Sequence, residues 1–457
     1  MGTTCSSVVA GLWGAAALAS AALSGAEEGP VIQEKVAQVL DIEPVWSGHP
    51  VGFSLLTWPP DQFVAYYDAQ RQMTVARRRL DQSAWTFQKL PSRLGWDSHN
   101  YVTMTIDAAG HLHLSGNMHC APLLYFRSSR PGDISSLARV DTMVDARLEQ
   151  RVTYPCFMAG PAGALIFRYR HGSSGRGDDY YNRYDAAAGT WQTLVGGPLL
   201  DGQGAMNGYF SLPEPGPDGR FHMVGVWRDT PDAATNHDPS YARSLDLIHW
   251  EKADGTPIPL PMTLQTIDLV ERVPARGGVI NGNCRLGFDG PGRPIVTYHR
   301  YDAAGNTQIY AARFETSRWN VIQVSDWSGY RWDFGGGGSI PFEVRVGQVR
   351  PDDAGRLLLD YGRPGRSGTW LLDPETLKPL GAAPPPPTRR ASLGPPTSTF
   401  PGMQVRQAGD RGSAEDKAVR YVLRWESLGP NRDRPREPPL PEASLLQLYR
   451  LETPTRP

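Results

Sequence analysis

Short alternating strands joined by polar turns dominate the chain after residue 45. In the run 101–106, apolar side chains at Val102, Met104 and Ile106 alternate with Tyr and Thr, a period of two residues that predicts a half-buried β-strand. The run 221–227 is apolar on nearly both faces, which is typical of a strand packed between neighbouring sheets. Because helical periodicity is hard to find in this part of the chain, the pattern predicts an all-β fold.

Turns that contain Asp and Gly divide these strands into similar units. The clearest are 107–110, 289–292 and 352–355, where Asp bonds to its own backbone and Gly tolerates a positive φ. Units of roughly 45 residues are the length of four-stranded propeller blades, which predicts a seven-bladed β-propeller. A pair of β-sandwiches or jelly rolls is the alternative architecture. The predicted units are 45–91, 99–140, 151–197, 205–255, 279–327, 342–380 and 417–453.

Segments outside the units have predicted roles of their own. We expect 36–45 to add a strand to the last unit and close the ring, because closure removes exposed sheet edges. The Pro-rich stretch 384–401 and the polar stretch 429–441 are interpreted as solvated connectors. Residues 1–26 are apolar and end in small side chains, which predicts a signal peptide and a secreted or periplasmic protein. The remainder, 27–457, is then a single propeller domain, and we expect a monomer.

Composition narrows the classes of partner. A net charge of −1 over 457 residues argues against a nucleic-acid partner or a polybasic membrane surface. A polyanion could still bind to a local cationic pocket. The four cysteines do not suggest a disulfide framework, since one of them, Cys5, falls in the predicted signal peptide.

Chemically versatile side chains recur at the ends of strands in the second and third units. His99 precedes one predicted strand and His119 follows the next, so an outgoing and a returning strand bring them to the same end of the ring. Tyr154 and Arg170 have the same relationship in the third unit. These groups suit β-elimination at a uronic acid: Arg neutralises a carboxylate, while His and Tyr remove the C5 proton and protonate the leaving oxygen. This chemistry requires no cofactor.

The same segments resemble a known family. The runs 98–107, 110–119 and 122–127, followed by 169–178, 226–228, 236–238 and 241–244, are similar to BNR-repeat propellers that include ulvan lyases. The resemblance covers about residues 45–330 and implies a lyase that acts on rhamnose–glucuronate linkages of an acidic polysaccharide.

The resemblance also implies roles for individual residues. It implies that His99 is the base or acid, that His119 contacts the uronate carboxylate, that Tyr154 is the catalytic-site tyrosine and that Arg170 neutralises the carboxylate. Asn117 and Tyr209 are further candidate substrate contacts. His237, Cys284 and His299 come from successive units and are candidate ligands of a structural zinc or calcium ion, although buried hydrogen-bonded side chains explain them equally well.

Two other functions remain open at this stage. A glycoside hydrolase, such as a rhamnosidase, uses two carboxylates across the scissile bond, and Asp97 and Asp178 lie near the cluster in sequence. A carbohydrate-binding propeller without catalysis would need aromatic side chains and Arg170 but not both histidines. The presence of His99 together with His119 therefore favours an enzyme.

Overall fold

The computed structural model describes residues 32–384, 388–412, 414 and 416–454, and these residues form the all-β propeller that the sequence predicts. The predicted signal peptide, 1–26, lies outside the described residues. Regular structure in the described part is β-strand apart from four short 3₁₀ helices. These helices are Ile134–Ser136, Leu148–Gln150, Pro161–Gly163 and Ala233–Thr235.

The described strands form seven sheets of four or more strands and one two-stranded sheet. Sheet 1 comprises Ser54–Trp58, Asp61–Tyr67, Gln72–Arg79 and Thr86–Arg93. Sheet 2 comprises Val102–Ile106, Leu112–Gly116, Tyr125–Ser128 and Leu137–Arg139. Sheet 3 comprises His119–Ala121, Val152–Ala159, Leu165–Ser173, Arg176–Asp185 and Thr190–Thr193. Sheet 4 comprises Asn207–Phe210, Glu214–Pro215, Phe221–Arg228, Asn236–Ser244, Trp250–Glu251, Pro257–Ile258 and Asp268–Leu269.

The remaining sheets complete the ring. Sheet 5 comprises Arg285–Phe288, Pro294–Tyr301, Thr307–Glu315 and Arg318–Gln323. Sheet 6 comprises Arg345–Pro351, Leu357–Arg363, Arg366–Leu372 and Pro379–Ala382. Sheet 7 comprises Gln404–Gly409, Val419–Ser427, Ser444–Glu452 and Lys35–Val45. The two-stranded sheet pairs Ile32–Gln33 with Thr388–Arg389 in parallel.

The first strands of neighbouring sheets lie side by side around the centre of the ring. Ser54–Trp58 contacts Val102–Ile106 on one side and Gln404–Gly409 on the other, and Val102–Ile106 in turn contacts Val152–Ala159. Since each sheet runs antiparallel from this first strand outwards, the start of every first strand and the end of every second strand lie at the same end of the ring. We call this end the cleft face.

The ring closes as predicted, but the last sheet starts earlier than its predicted unit. Lys35–Val45 pairs antiparallel with Ser444–Glu452 as the outer strand of sheet 7. The innermost strand of that sheet is Gln404–Gly409, which the predicted unit 417–453 leaves out. Its mixed polar and apolar residues give only a weak period of two, and its backbone pairs with Val419–Ser427 regardless.

Apolar side chains fill the space between sheets and hold the strand ends in place. One cluster joins sheets 7, 1 and 2 through buried residues that include Leu423, Val64 and Met104. Others join sheets 3 and 4 and sheets 5 and 6, so each sheet is supported by a neighbour. Burial of apolar surface favours folding by about 25 cal/mol for each Å² removed from water. Within the described residues, every helix is too short or too polar to span a lipid bilayer.

Candidate active site

Two imidazoles meet at the cleft face and share one carboxylate. The rings of His99 and His119 lie 4.3 Å apart between centroids and are tilted by 33°. Nδ1 of His99 is 2.7 Å from Oδ1 of Asp97, and Nδ1 of His119 bonds to Oδ2 of the same residue. The carboxylate therefore fixes both rings through Nδ1 and leaves each Nε2 available to a substrate.

A second carboxylate reaches His99 from the far end of the chain. Oδ2 of Asp433 lies 3.4 Å from Nδ1 of His99. Asp433 also accepts hydrogen bonds from the backbone N–H groups of Ser98, at 3.1 Å, and Ser339, at 2.8 Å. The sequence predicts that the stretch 429–441 is a solvated connector, and this prediction is wrong at Asp433. The Asp433 side chain is only 9% exposed and contacts residues of two other segments.

The two carboxylates change the charge state of His99. Burial alone would lower the pKa of His99, but the hydrogen bonds to Asp433 and Asp97 outweigh it and raise this pKa to about 9. Burial would raise the pKa of Asp97, and the hydrogen bonds from His119 and His99 instead hold it well below its usual range. The pKa of Asp433 is lowered for the same reason, chiefly by His99 and Ser98. At neutral pH, His99 is thus a cation between two anions.

Unusual backbone conformations place the side chains around the histidines. Tyr154 has a φ of 58° and lies in the register shift between Thr153 and Cys156, where sheet 3 bulges. Asn117 and Cys120, on either side of His119, also have positive φ values of 61° and 53°. Such conformations cost on the order of 1–3 kcal/mol each in non-glycine residues, and they concentrate at functional sites. The bulge turns the Tyr154 ring toward His99, at 5.6 Å between centroids.

Arg170 lies beneath the tyrosines and does not line the open cleft. The residue is 1% exposed. Its guanidinium donates to the Tyr209 hydroxyl at 3.3 Å and to Thr153 Oγ1 at 3.1 Å, and it lies 4.9 Å from the centre of the Tyr154 ring. Direct bidentate contact with a substrate carboxylate, as first expected from its residue type, is therefore blocked in this conformation. The charge of Arg170 acts instead on the two phenols above it.

Tyr154 and Tyr209 form a pair in which the two hydroxyls differ. Their rings are 6.1 Å apart and line the same cavity, whose volume is about 210 Å³. Burial raises the pKa of Tyr154 well above its usual range. Burial would also raise the pKa of Tyr209, but the positive charges of Arg170 and Arg228 outweigh it and lower this pKa. The Tyr209 hydroxyl further lies 2.8 Å from Ser174 Oγ.

Asn117 contributes to the framework of the site. Its side-chain amide donates to Ser92 Oγ at 2.7 Å and to the carbonyl oxygen of Arg93 at 3.0 Å. Both amide protons are therefore engaged with the end of sheet 1, which anchors the turn that carries His119. The expected contact between Asn117 and substrate stays a prediction.

The three candidate metal ligands do not assemble into a site. His237 uses both ring nitrogens on the carboxylates of Asp229 and Asp238, at 2.9 and 3.2 Å. Cys284 is buried in an apolar cluster, and His299 packs against the Trp332 ring, where burial lowers its pKa to about 3. In the part of the chain that the structure describes, the group with metal-ligand spacing is Asp97, His99 and His119 instead.

Several functional side chains were missed at the level of sequence. Asp97 carries a usable signal, because it stands two residues before His99, but the sequence argument assigns it only as a carboxylate of a hydrolase. Arg228 ends the second strand of sheet 4 and so has the same relationship to Tyr209 as Arg170 has to Tyr154, a spacing that could have found it. Asp433 and Ser339 carry no local signal, since they reach the site from connecting segments that are distant in sequence. Together, the arrangement provides a cationic imidazole and a second imidazole beside the Tyr154 ring. The phenol of lowered pKa, Tyr209, lies 6.1 Å from the same ring and lines the cavity with it.

A β-propeller with acid–base groups at one end of its ring is the class of protein that this fold and site define. Residues 61–327 match a family described as "BNR repeat-containing family member". The match spans more than half of the chain, and the protein belongs to this family.

Solved structures share the fold at low sequence identity. The polysaccharide lyase Uly1 superposes with a TM-score of 0.57 at 14% identity, covering 92% of this chain and 99% of its own. A PL25 ulvan lyase superposes with a TM-score of 0.55 at 14% identity, covering 85% of this chain and 96% of its own. The same values hold for that lyase bound to -[GlcA(1-4)Rha3S]-. Among curated proteins, no sequence matches this chain.

Proposed function

We propose that the protein is a seven-bladed polysaccharide lyase that cleaves rhamnose–glucuronate linkages of an acidic polysaccharide by β-elimination. The observation that carries this proposal is the pair of imidazoles held 4.3 Å apart by Asp97 and facing Tyr154. The seven sheets of four or more strands, among the described residues, support the count of seven blades. The structural likeness to ulvan lyases supports the same class of reaction.

His99 is suited to be the acid. Its pKa of about 9 keeps the imidazole protonated at neutral pH, and Asp97 binds Nδ1, which leaves Nε2 for the substrate. Nε2 then carries the proton that the C4 oxygen needs as the C4–O bond breaks. His119 stands beside it and is suited to contact the uronate carboxylate.

Tyr209 is suited to be the base, a stronger role than the substrate contact expected from sequence. Its hydroxyl lies among Arg170, Arg228 and Ser174, and the two cations lower its pKa. In its deprotonated form, Tyr209 takes the C5 proton, the electrons of the C5–H bond form the C4=C5 double bond, and the C4 oxygen leaves with the proton of His99. Tyr154, whose pKa is raised, remains a neutral phenol that donates to the substrate.

Hydrolysis is the second candidate, and one observation favours it. Burial and the nearby Asp201 raise the pKa of Asp178, as a hydrolytic acid requires. Asp97 and Asp433 do not fit that role, because both are held as anions by His99. A hydrolase would lose its activity in Asp178→Asn, whereas a lyase that works through the histidines would keep it.

The test is incubation of the purified protein with ulvan and with a rhamnose–glucuronate arabinogalactan. Elimination produces an unsaturated uronate that absorbs in the ultraviolet, and this absorbance should rise with the native protein and fail to rise with His99→Ala or Arg170→Ala. New reducing ends or free rhamnose without the absorbance would support the hydrolase instead. Neither signal on either polymer would overturn the proposed substrate.

A further inference from the structure

A second cavity opens on the cleft face at the end of sheet 6. It has a volume of about 670 Å³ and is lined by residues that include Phe342, Arg345, Asp360, Tyr361 and Arg363. Arg345 begins the first strand of this sheet and pairs with Gly362 near the end of the second. These are the strand positions that Tyr154 and Arg170 occupy in sheet 3, so both cavities face the same side of the ring. The volume is within the range of about 300–1,000 Å³ that small-molecule sites occupy.

The segment 339–342 connects this cavity to the candidate active site. At one end, the Ser339 hydroxyl donates to Asp433, the carboxylate beside His99, at 2.9 Å. At the other end, Phe342 lies against Gly282, where a β-carbon would come within 3.6 Å of the Phe342 ring. Gly282 also lines the cavity of Tyr154 and Tyr209. A chain molecule that leaves the tyrosine cavity past Gly282 therefore meets Phe342 next.

The chemistry of the second cavity suits an anionic sugar. Two carboxylates also line the cavity, and both have partners: Asp360 pairs with Arg350, and Glu343 accepts a hydrogen bond from the Tyr330 hydroxyl at 3.4 Å. Within the described residues, Arg345 and Arg363 form no ion pair with a carboxylate. A guanidinium binds a carboxylate or a sulfate through two parallel hydrogen bonds. Phe342 is 38% exposed and offers an aromatic face on which the apolar face of a sugar ring can pack.

We propose that this cavity is a second subsite, which binds a negatively charged sugar of the polysaccharide away from the bond that is cleaved. The inference rests on the proposed function for the identity of the polymer. Because only a long chain reaches from the cleaved bond to sheet 6, this subsite gives the protein a preference for long chains. Arg345 and Arg363 supply the charge complementarity, and Phe342 supplies the stacking surface.

The experiment compares the full-length protein with the double variant Arg345→Gln/Arg363→Gln. The control is Arg356→Gln, an arginine of the same sheet at the turn on the opposite end of the ring, paired with Asp352. With ulvan, the double variant should raise KM roughly tenfold and leave kcat unchanged, because it removes charge-assisted hydrogen bonds to the ground state and transition state alike. With an oligosaccharide that is too short to reach sheet 6, both constants should stay unchanged.

Direct titration of the proteins with native and desulfated ulvan distinguishes a sulfate ligand from a carboxylate ligand. It also distinguishes failure of the subsite proposal from failure of the lyase proposal. Weaker binding of the double variant to native polymer alone identifies a sulfate ligand, and weaker binding to both identifies a carboxylate. Loss of this binding in a protein that releases no unsaturated product would retain the subsite and refute the lyase. Wild-type affinity and KM in the double variant, and also in Phe342→Ala, would overturn the subsite. Thermal melts of the variants confirm that they are folded.

Discussion

The carboxylate of Asp433 lies 3.4 Å from Nδ1 of His99, although the two residues belong to opposite ends of the propeller sequence. The backbone N–H groups of Ser98 and Ser339 donate to this carboxylate and orient it. Asp433 lies between two strands of the last sheet, so it reaches His99 only when the ring is closed. The geometry ties the charge state of His99 to the correct assembly of sheets 2, 5, 6 and 7.

Replacement Asp433→Asn should shift the alkaline limit of activity. The side chain keeps its shape but loses its charge, so the pKa of His99 falls from its value of about 9 and the acid is lost at lower pH. We expect the alkaline limb of the kcat profile to move down by about one pH unit. The measurement is kcat against pH, with Asp353→Asn, an exposed residue on a turn of sheet 6, as the control. An alkaline limb that stays in place would show that Asp433 has only a structural role.

The two tyrosines should respond differently to loss of the hydroxyl. Tyr209→Phe removes the proposed base and should lower kcat by about a hundredfold to ten-thousandfold, together with the acidic limb of the pH profile. Tyr154→Phe should lower activity but retain that limb, because the phenol with the lowered pKa is still present. The assay is the release of unsaturated uronate across the pH range. If Tyr154→Phe instead abolishes the acidic limb, the two roles must be exchanged.

The His99 cation should make folding stability depend on pH. Its folded pKa of about 9 exceeds the ordinary value of 6.5, so its stabilising contribution is complete below 6.5 and disappears as pH rises through about 9. The contribution is on the order of 3 kcal/mol. Urea unfolding of the native protein and of His99→Asn should therefore give stabilities that differ most at mildly acidic to neutral pH. A difference that does not change between neutral pH and pH above 9 would contradict the assigned protonation.

Metal should inhibit elimination and should not be needed for it. Asp97, His99 and His119 offer ligand atoms within 4.8 Å of one another, and zinc prefers imidazole nitrogen and carboxylate oxygen. Added zinc should bind there and remove the acid, and a chelator should restore activity. Calorimetry should show that His119→Gln loses this zinc site, whereas His237→Gln retains it. Loss of activity on treatment with a chelator alone would refute this prediction.

The sequence predicts the fold better than it predicts the contacts within the site. Strand periodicity and Asp–Gly turns are local signals, which is why the sheets and the closing strand Lys35–Val45 could be anticipated. His99, His119 and Tyr154 were found because strand direction alone places them at one end of the ring. The burial of Arg170 and the contact of Asp433 with His99 depend on packing between sheets, and no spacing in the sequence predicts them.

The most direct test of the central claim is the mass of the products formed in water enriched in heavy oxygen. Elimination breaks the C4–O bond without adding water, so both fragments should lack the heavy isotope and the uronate fragment should be lighter by one water than a hydrolysis product. The His99→Ala variant should form neither fragment. Incorporation of heavy oxygen into one fragment would contradict the account and establish hydrolysis.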